Sequence, residues 1–403
     1  MGPDLETTVP LQRVRAIRCR KILNSHVAFT NEFSIELGSG EVGVGASPQG
    51  ETISIYEDRA VSASPAQIIE TIARDHCLAV PMDQARFDMY LEGKIPVFGR
   101  NNAFALSLAF YDAVKKLSVE PSTGTQGNGR PALPRICLNI LNGGSYAYTN
   151  PVLSDFPEYL LVSKGSDIEA IIEDHRNIQE KVRKRLSSAG KTVVNGNMVS
   201  MFGATDNRSC IEMLLDIVES LELGAAYDLM IDASAGDLWS DGGYRFSVTD
   251  NSARKSEEMC DYWLGLIADF RIKYLEDPFH EEDFGSWKRL ASEQGTCSII
   301  GDNLYSSDVH RIRNGAVNGY THGAIIKPNQ AGTVTATIRA IREARNNDQT
   351  VITSHRSIST ESLFLSTITH IFNADGIKIG PLFTDYSSVI RLNELMRLRG
   401  QYE

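Results

Sequence analysis

Four short apolar runs in the second half of this 403-residue chain each stop at a charged residue. They are 227–232, 271–276, 298–302 and 323–327, and they end in Asp232, Glu276, Asp302 and Lys327. Segments with helical spacing at 208–223, 252–270, 283–294 and 332–346 alternate with them. Strand and helix in alternation predict a parallel sheet, and the length beyond residue 131 suits a closed α/β barrel. In a parallel barrel every strand ends on the same rim, so the three carboxylates and the lysine converge. Carboxylates packed that closely repel one another, and a bound cation relieves the repulsion. Oxygen donors alone select a hard ion, Mg²⁺ before Zn²⁺. Taken singly, each acid reads more readily as a helix N-cap or a surface charge; the shared strand-end register is what sets the four apart.

The first third has a different rhythm. Residues 33–37 alternate apolar and polar, Gly38-Ser39-Gly40 turns the chain, and 41–45 runs back, which predicts a hairpin. Residues 45–56 are rich in Gly, Ser, Pro and Thr and read as a mobile loop, whereas 57–125 has helical periodicity. The Gly- and Pro-rich stretch 121–134 is the natural boundary. It divides an N-terminal α+β capping domain (1–130) from a barrel domain (131–403).

A net charge of −11 argues against a nucleic-acid groove or an anionic membrane surface as partner. It leaves room for a small anionic substrate, because a metal and a few cations reverse the field locally. Six scattered cysteines without a C-x-x-C pair read as reduced thiols in a cytoplasmic protein. No apolar run is long enough for a membrane span, and the N-terminus has no signal-peptide pattern.

The charged strand ends sit within longer motifs. Tyr274–Phe279 (YLEDPF), Gly301–Leu304 (GDNL), Ile325–Gln330 (IIKPNQ), Thr353–Ser357 (TSHRS) and Ile377–Gly380 (IKIG) resemble enolase segments in order. Leu141–Ser145 (LNGGS), Lys21–Ser25 (KILNS) and Phe98–Asn101 (FGRN) extend the resemblance to the enolase family across nearly the whole chain. The family implies an α/β barrel of enolase type, a C-terminal (β/α)8-like barrel with an N-terminal α+β capping domain. It also implies roles. Asp232, Glu276 and Asp302 would ligate Mg²⁺. Lys327 would remove the proton α to a substrate carboxylate. Arg356 and Ser357 would hold a phosphate, Lys378 would neutralise carboxylate charge, and His355 would contact the phosphate. A homodimer or a ring of dimers is the expected assembly.

Departures from the family pattern bear on the reaction. Tyr146 stands where enolases carry a histidine, and Thr52 stands for the serine that binds a second Mg²⁺. Ser154-Asp155-Phe156 takes the place of a Q-E-F triplet, making Asp155 a candidate but shorter acid, and Asn303 replaces an aspartate. The glutamate that assists departure of the 3-hydroxyl has no counterpart: 197–204 carries no acid, and Asp206 is the nearest. A hydroxide leaves poorly without acid help, which is worth about 10²–10⁴-fold. Three readings follow. One is a specialised Mg²⁺-dependent paralogue acting on a phosphorylated or phosphonylated three-carbon carboxylate, in the manner of a carboxyphosphonoenolpyruvate synthase. Another is an ordinary dehydratase converting 2-phosphoglycerate to phosphoenolpyruvate. The third is a non-catalytic binding protein on the same fold.

Overall fold

A computed structural model describes residues 11–50, 53–57, 63–75, 80–117, 133–143, 149–202 and 206–400. The chain starts as an antiparallel meander of strands Val14–Leu23, Phe29–Leu37 and Val42–Ala46. Helices Pro65–Arg74, Gln84–Phe98 and Arg100–Lys115 follow. The first helix is started by local chemistry: Ser64 Oγ accepts from Gln67 N, and Gln67 Oε1 accepts from Ser64 N at 2.9 Å. The third lies directly on the meander. A Cβ at Gly43 would overlap the backbone of Ala109 and Ala113, and one at Gly45 the backbone of Ala105 and Ala109. Alternate glycines on the strand thus meet alanines spaced by four on the helix, which lets the two backbones touch.

The second part is an eight-stranded closed barrel. Its strands, in order, are Arg135–Gly143, Glu158–Ser163, Tyr227–Asp232, Tyr274–Glu276, Ser298–Gly301, Gly323–Ile326, Thr350–Ser354 and Gly376–Lys378, and the last pairs with the first. Cys137, Leu160, Val162, Met230, Tyr274, Ile300, Ile325 and Ile352 fill the interior. Their sequence neighbours, such as Ile136, Leu161, Ile231, Ile299 and Ile377, belong to the larger core beneath the surrounding helices. Both faces are buried, so the strands read as continuous apolar runs rather than alternating ones.

One strand departs from the parallel expectation. Glu158–Ser163 runs antiparallel to both of its neighbours. A parallel return needs a crossover, usually through a helix; the described part of the preceding connection contains none. The segment 197–201 is a strand: it forms a hairpin with Gly190–Val194 and joins the sheet through Val152 and Ser200. The expected boundary at 130/131 falls in 118–132, outside the described residues.

The N-terminal part is fixed to the barrel by polar contacts. Asp88 accepts from Thr335 N at 2.8 Å, and Glu92 accepts from Thr333 Oγ1 at 3.0 Å and pairs with Arg339 at 2.7 Å. Backbone hydrogen bonds between Gln49 and Ile358, and from Ser25 N to Ser359 O, carry two N-terminal loops over the barrel rim.

Candidate active site

The rim encloses a cavity of about 380 Å³. Asp232 and Glu276 are strand-terminal and register-paired, and Asp302 follows Gly301 directly. Lys378, at the end of the eighth strand, sends its ammonium among three carboxylates: Glu276 at 2.8 Å, Glu158 at 2.9 Å and Asp232 at 3.0 Å. Lys327 Nζ bonds Asp302 Oδ2. Behind this layer, Asp277 accepts from the N–H groups of Asp302 (2.9 Å) and Asn303 (2.6 Å), clamping the loop that carries the acid. Asp277 does so from a left-handed backbone, φ 44°.

The electrostatics follow from burial and these contacts. Burial favours the neutral acid at Asp232, but Lys378 and Lys327 outweigh it and hold its pKa below the ordinary value. Burial, and then the Asp232 charge, push Glu276 well above it. For Lys378, burial favours the neutral amine, yet Asp232, Glu158 and Glu276 keep it charged, well above the usual lysine range. His355 is the opposite case. Burial, with Arg391, Lys378 and Lys327 nearby, drives it well below its ordinary value, so the ring is neutral. Its Nδ1 lies 2.8 Å from the Arg356 carbonyl, an obligate acceptor, so Nδ1 carries the proton and Nε2 is an acceptor. That suits a proton donor better than a phosphate oxygen.

Among the described residues, no three His, Cys, Asp or Glu side chains stand ready as a closed metal cage. The two ammonium heads stand among the acids. The donor set nevertheless fits a hard cation: every donor is oxygen, and Glu276 Oε1 and Asp302 Oδ1 are buried without a hydrogen-bond partner.

Arg356 and Ser357 line the same cavity, on the side towards the N-terminal loops. Asp155 does not. Its carboxylate is turned away and accepts from Val248 N at 2.8 Å, from Thr249 Oγ1 and from Asn207 Nδ2 at 3.3 Å. This corrects the expectation that Asp155 faces the substrate. The acid of this segment that does line the cavity is Glu158, three residues on, directly opposite Asp232 in the sheet. Glu158 opens a strand instead of closing one. An acid before an apolar run counts as a rim residue only once the strand is known to be reversed. Asn139, which donates to Glu158 Oε1 at 2.7 Å, and Asp385 also line the cavity and carried no signal in the sequence. Thr52 and Tyr146 lie outside the described residues.

Residues 130–402 match the family model described as enolase, C-terminal TIM barrel domain. Among curated proteins, the chain is 27% identical over 405 aligned positions to the enolase of Natronomonas pharaonis, covering 96% of this chain and 98% of that one. It is 29% identical over 314 positions to the enolase of Ehrlichia canis, covering 76% and 72%.

Proposed function

Since the chain belongs to the enolase family, we propose that it is a Mg²⁺-dependent enzyme that forms an enolate from a phosphorylated or phosphonylated three-carbon carboxylate, with a reaction altered at the leaving group. The observation that carries this reading is Lys327 and Lys378 set among Asp232, Glu276, Asp302 and Glu158 on one cavity rim. Asp232, Glu276 and Asp302 would hold the ion. Bound there, Mg²⁺ supplies electrostatic stabilisation of the charge that develops on the substrate carboxylate. Lys327 takes the proton from the carbon next to that carboxylate. Lys378 balances the acids and orients the carboxylate from the opposite side. Arg356 and Ser357 bind the phosphate or phosphonate, for which a guanidinium fork is well shaped.

The altered step is inferred from the hairpin Gly190–Val194/Asn197–Met201, which carries no Asp or Glu. A specialised paralogue of the carboxyphosphonoenolpyruvate synthase type fits a site that keeps its carboxylate and phosphate ends and changes the rest. Glu158 at the cavity favours a second reading, an ordinary dehydratase in which this carboxylate assists the leaving hydroxyl.

One experiment separates them. Proton exchange at the α-carbon of 2-phosphoglycerate is followed by NMR in D2O with Mg²⁺, alongside phosphoenolpyruvate release. Exchange without release supports the altered reaction, and release at a matching rate supports the dehydratase. The base assignment requires Lys327→Ala to slow exchange by about 10²–10⁴-fold. An unchanged rate rejects it.

A further inference from the structure

We propose that Glu57 is a positioning residue that sets the orientation of the Arg356 guanidinium for anion binding. The proposal rests on the reading of Arg356 as the phosphate- or phosphonate-binding group.

Arg356 is only 4% exposed. A buried guanidinium is costly unless it is paired and hydrogen-bonded. Glu57, from the far N-terminal part of the chain, supplies the pairing: its Oε2 lies 3.0 Å from Arg356 Nη1. Its Oε1 accepts from Gln330 Nε2 at 3.1 Å, so both carboxylate oxygens are committed. Gln330 is fixed in turn, because Ser307 Oγ donates to its Oε1 at 2.9 Å and Arg100 bonds its carbonyl at 3.1 Å. The same Ser307 Oγ accepts from the backbone N–H of Lys327 at 2.8 Å. One run of hydrogen bonds therefore ties the backbone of the proposed base to the arginine, through Ser307, Gln330 and Glu57. Gly50 braces the guanidinium from another side, since a Cβ there would overlap Arg356 Nη2, Cζ and Nε.

A carboxylate in this place acts in one of two opposed ways. It holds the fork in the orientation an anion needs, which strengthens binding, or it competes with the anion, which weakens it. Two features favour positioning. Glu57 is held by Gln330 as well as by Arg356, so it is anchored independently of the arginine. Gly50 packs against the same fork without offering it any charge.

The test is calorimetric titration of inorganic phosphate into wild-type protein and the variants Glu57→Gln, Gly50→Ala and Arg356→Gln, each checked for an unchanged thermal midpoint. Glu57→Gln is expected to weaken phosphate binding by about tenfold, the lower end of what removing the partner behind a metal ligand costs. With a turned-over substrate, KM should rise while kcat changes little, and Glu57→Asp should recover part of the loss. Gly50→Ala displaces the fork without changing charge and should also weaken binding; it keeps the test open if Glu57→Gln folds poorly. Unchanged binding in Glu57→Gln overturns the proposal, and so does tighter binding, which would make Glu57 a competitor. If wild type binds phosphate and Arg356→Gln does not, the anion role of Arg356 stands whatever Glu57 does. If Arg356→Gln binds as wild type does, that reading fails and takes the proposal with it.

Discussion

At the scale of single residues, two nearby carboxylates have opposite situations. Glu158 touches Lys378 and lines the cavity, whereas Asp155 is bound to Thr249, Val248 and Asn207. Glu158→Gln should lower kcat/KM by at least tenfold with little change in stability. Asp155→Asn should instead cost about 1–3 kcal/mol of stability, because a buried acceptor is replaced by a partly mismatched donor, and should leave kcat/KM of the folded fraction within about twofold. Denaturant melts and steady-state kinetics on both variants check this; a kinetic collapse in Asp155→Asn would contradict it. A second pair concerns acid stability. Burial, and then Arg183, push His175 down to about 4, so the unfolded chain binds its proton first. The neutral histidine's contribution is complete above about pH 6.5 and is lost as pH falls towards 4, on the order of 3 kcal/mol. Burial raises Asp88 to about 6, so its protonation stabilises the fold as pH falls from 6 towards the ordinary value of 3.8. The two slopes oppose each other over much the same window. Asp88→Asn removes the compensating slope, and the variant should lose stability faster than wild type between pH 6 and 4 in urea melts.

At the scale of elements, the contact between strand Val42–Ala46 and helix Arg100–Lys115 is the most exacting in the N-terminal part. Gly45→Ala forces a methyl group into the helix backbone and should destabilise by about 1–3 kcal/mol or more, read from the shift in urea midpoint. An exposed glycine such as Gly93 has open space around its missing Cβ, and Gly93→Ala is the matched control. Much of this level was legible in the sequence. The helices expected at 208–223, 252–270, 283–294 and 332–346 appear as Arg208–Ser220, Ser256–Phe270, Phe284–Glu293 and Val334–Asn346. Their apolar spacing is local information, as is the acid or lysine that ends each of four strands. What was not legible is strand direction. Tyr159 to Val162 is apolar in either sense, and only its pairing with Arg135–Gly143 and Tyr227–Asp232 shows that the chain runs backwards there. That single unknown hid Glu158, whereas Asp155 was a candidate only because Ser154-Asp155-Phe156 stands in the place of the family's Q-E-F triplet. Asn139 was hidden differently: nothing in a short apolar strand marks which polar side chain reaches a cavity.

At the scale of the whole molecule, the site is assembled from both parts of the chain. Ser25 and His26 line the cavity from the meander's first turn, Glu57 reaches Arg356, and the barrel supplies the acids and lysines. Binding and global stability should therefore be linked. Mg²⁺ at 100 times its dissociation constant should add about 2.7 kcal/mol to unfolding, and a chelator should remove it. Asp302→Asn should abolish the shift; a midpoint indifferent to Mg²⁺ in wild type would count against the ion site. The reversed strand has its own consequence for how such a frame diversifies. Seven corners of the rim are set by where a strand stops, and changing one disturbs the barrel's own ladder. The eighth is set by where a strand begins: Glu158 heads its strand and stands opposite Asp232. A substitution at residue 158 would alter that corner from the head of a stave, while Asp232 and Glu276 keep their strand-terminal places. New chemistry can thus be tried at one edge of the pocket while the charged floor is inherited intact.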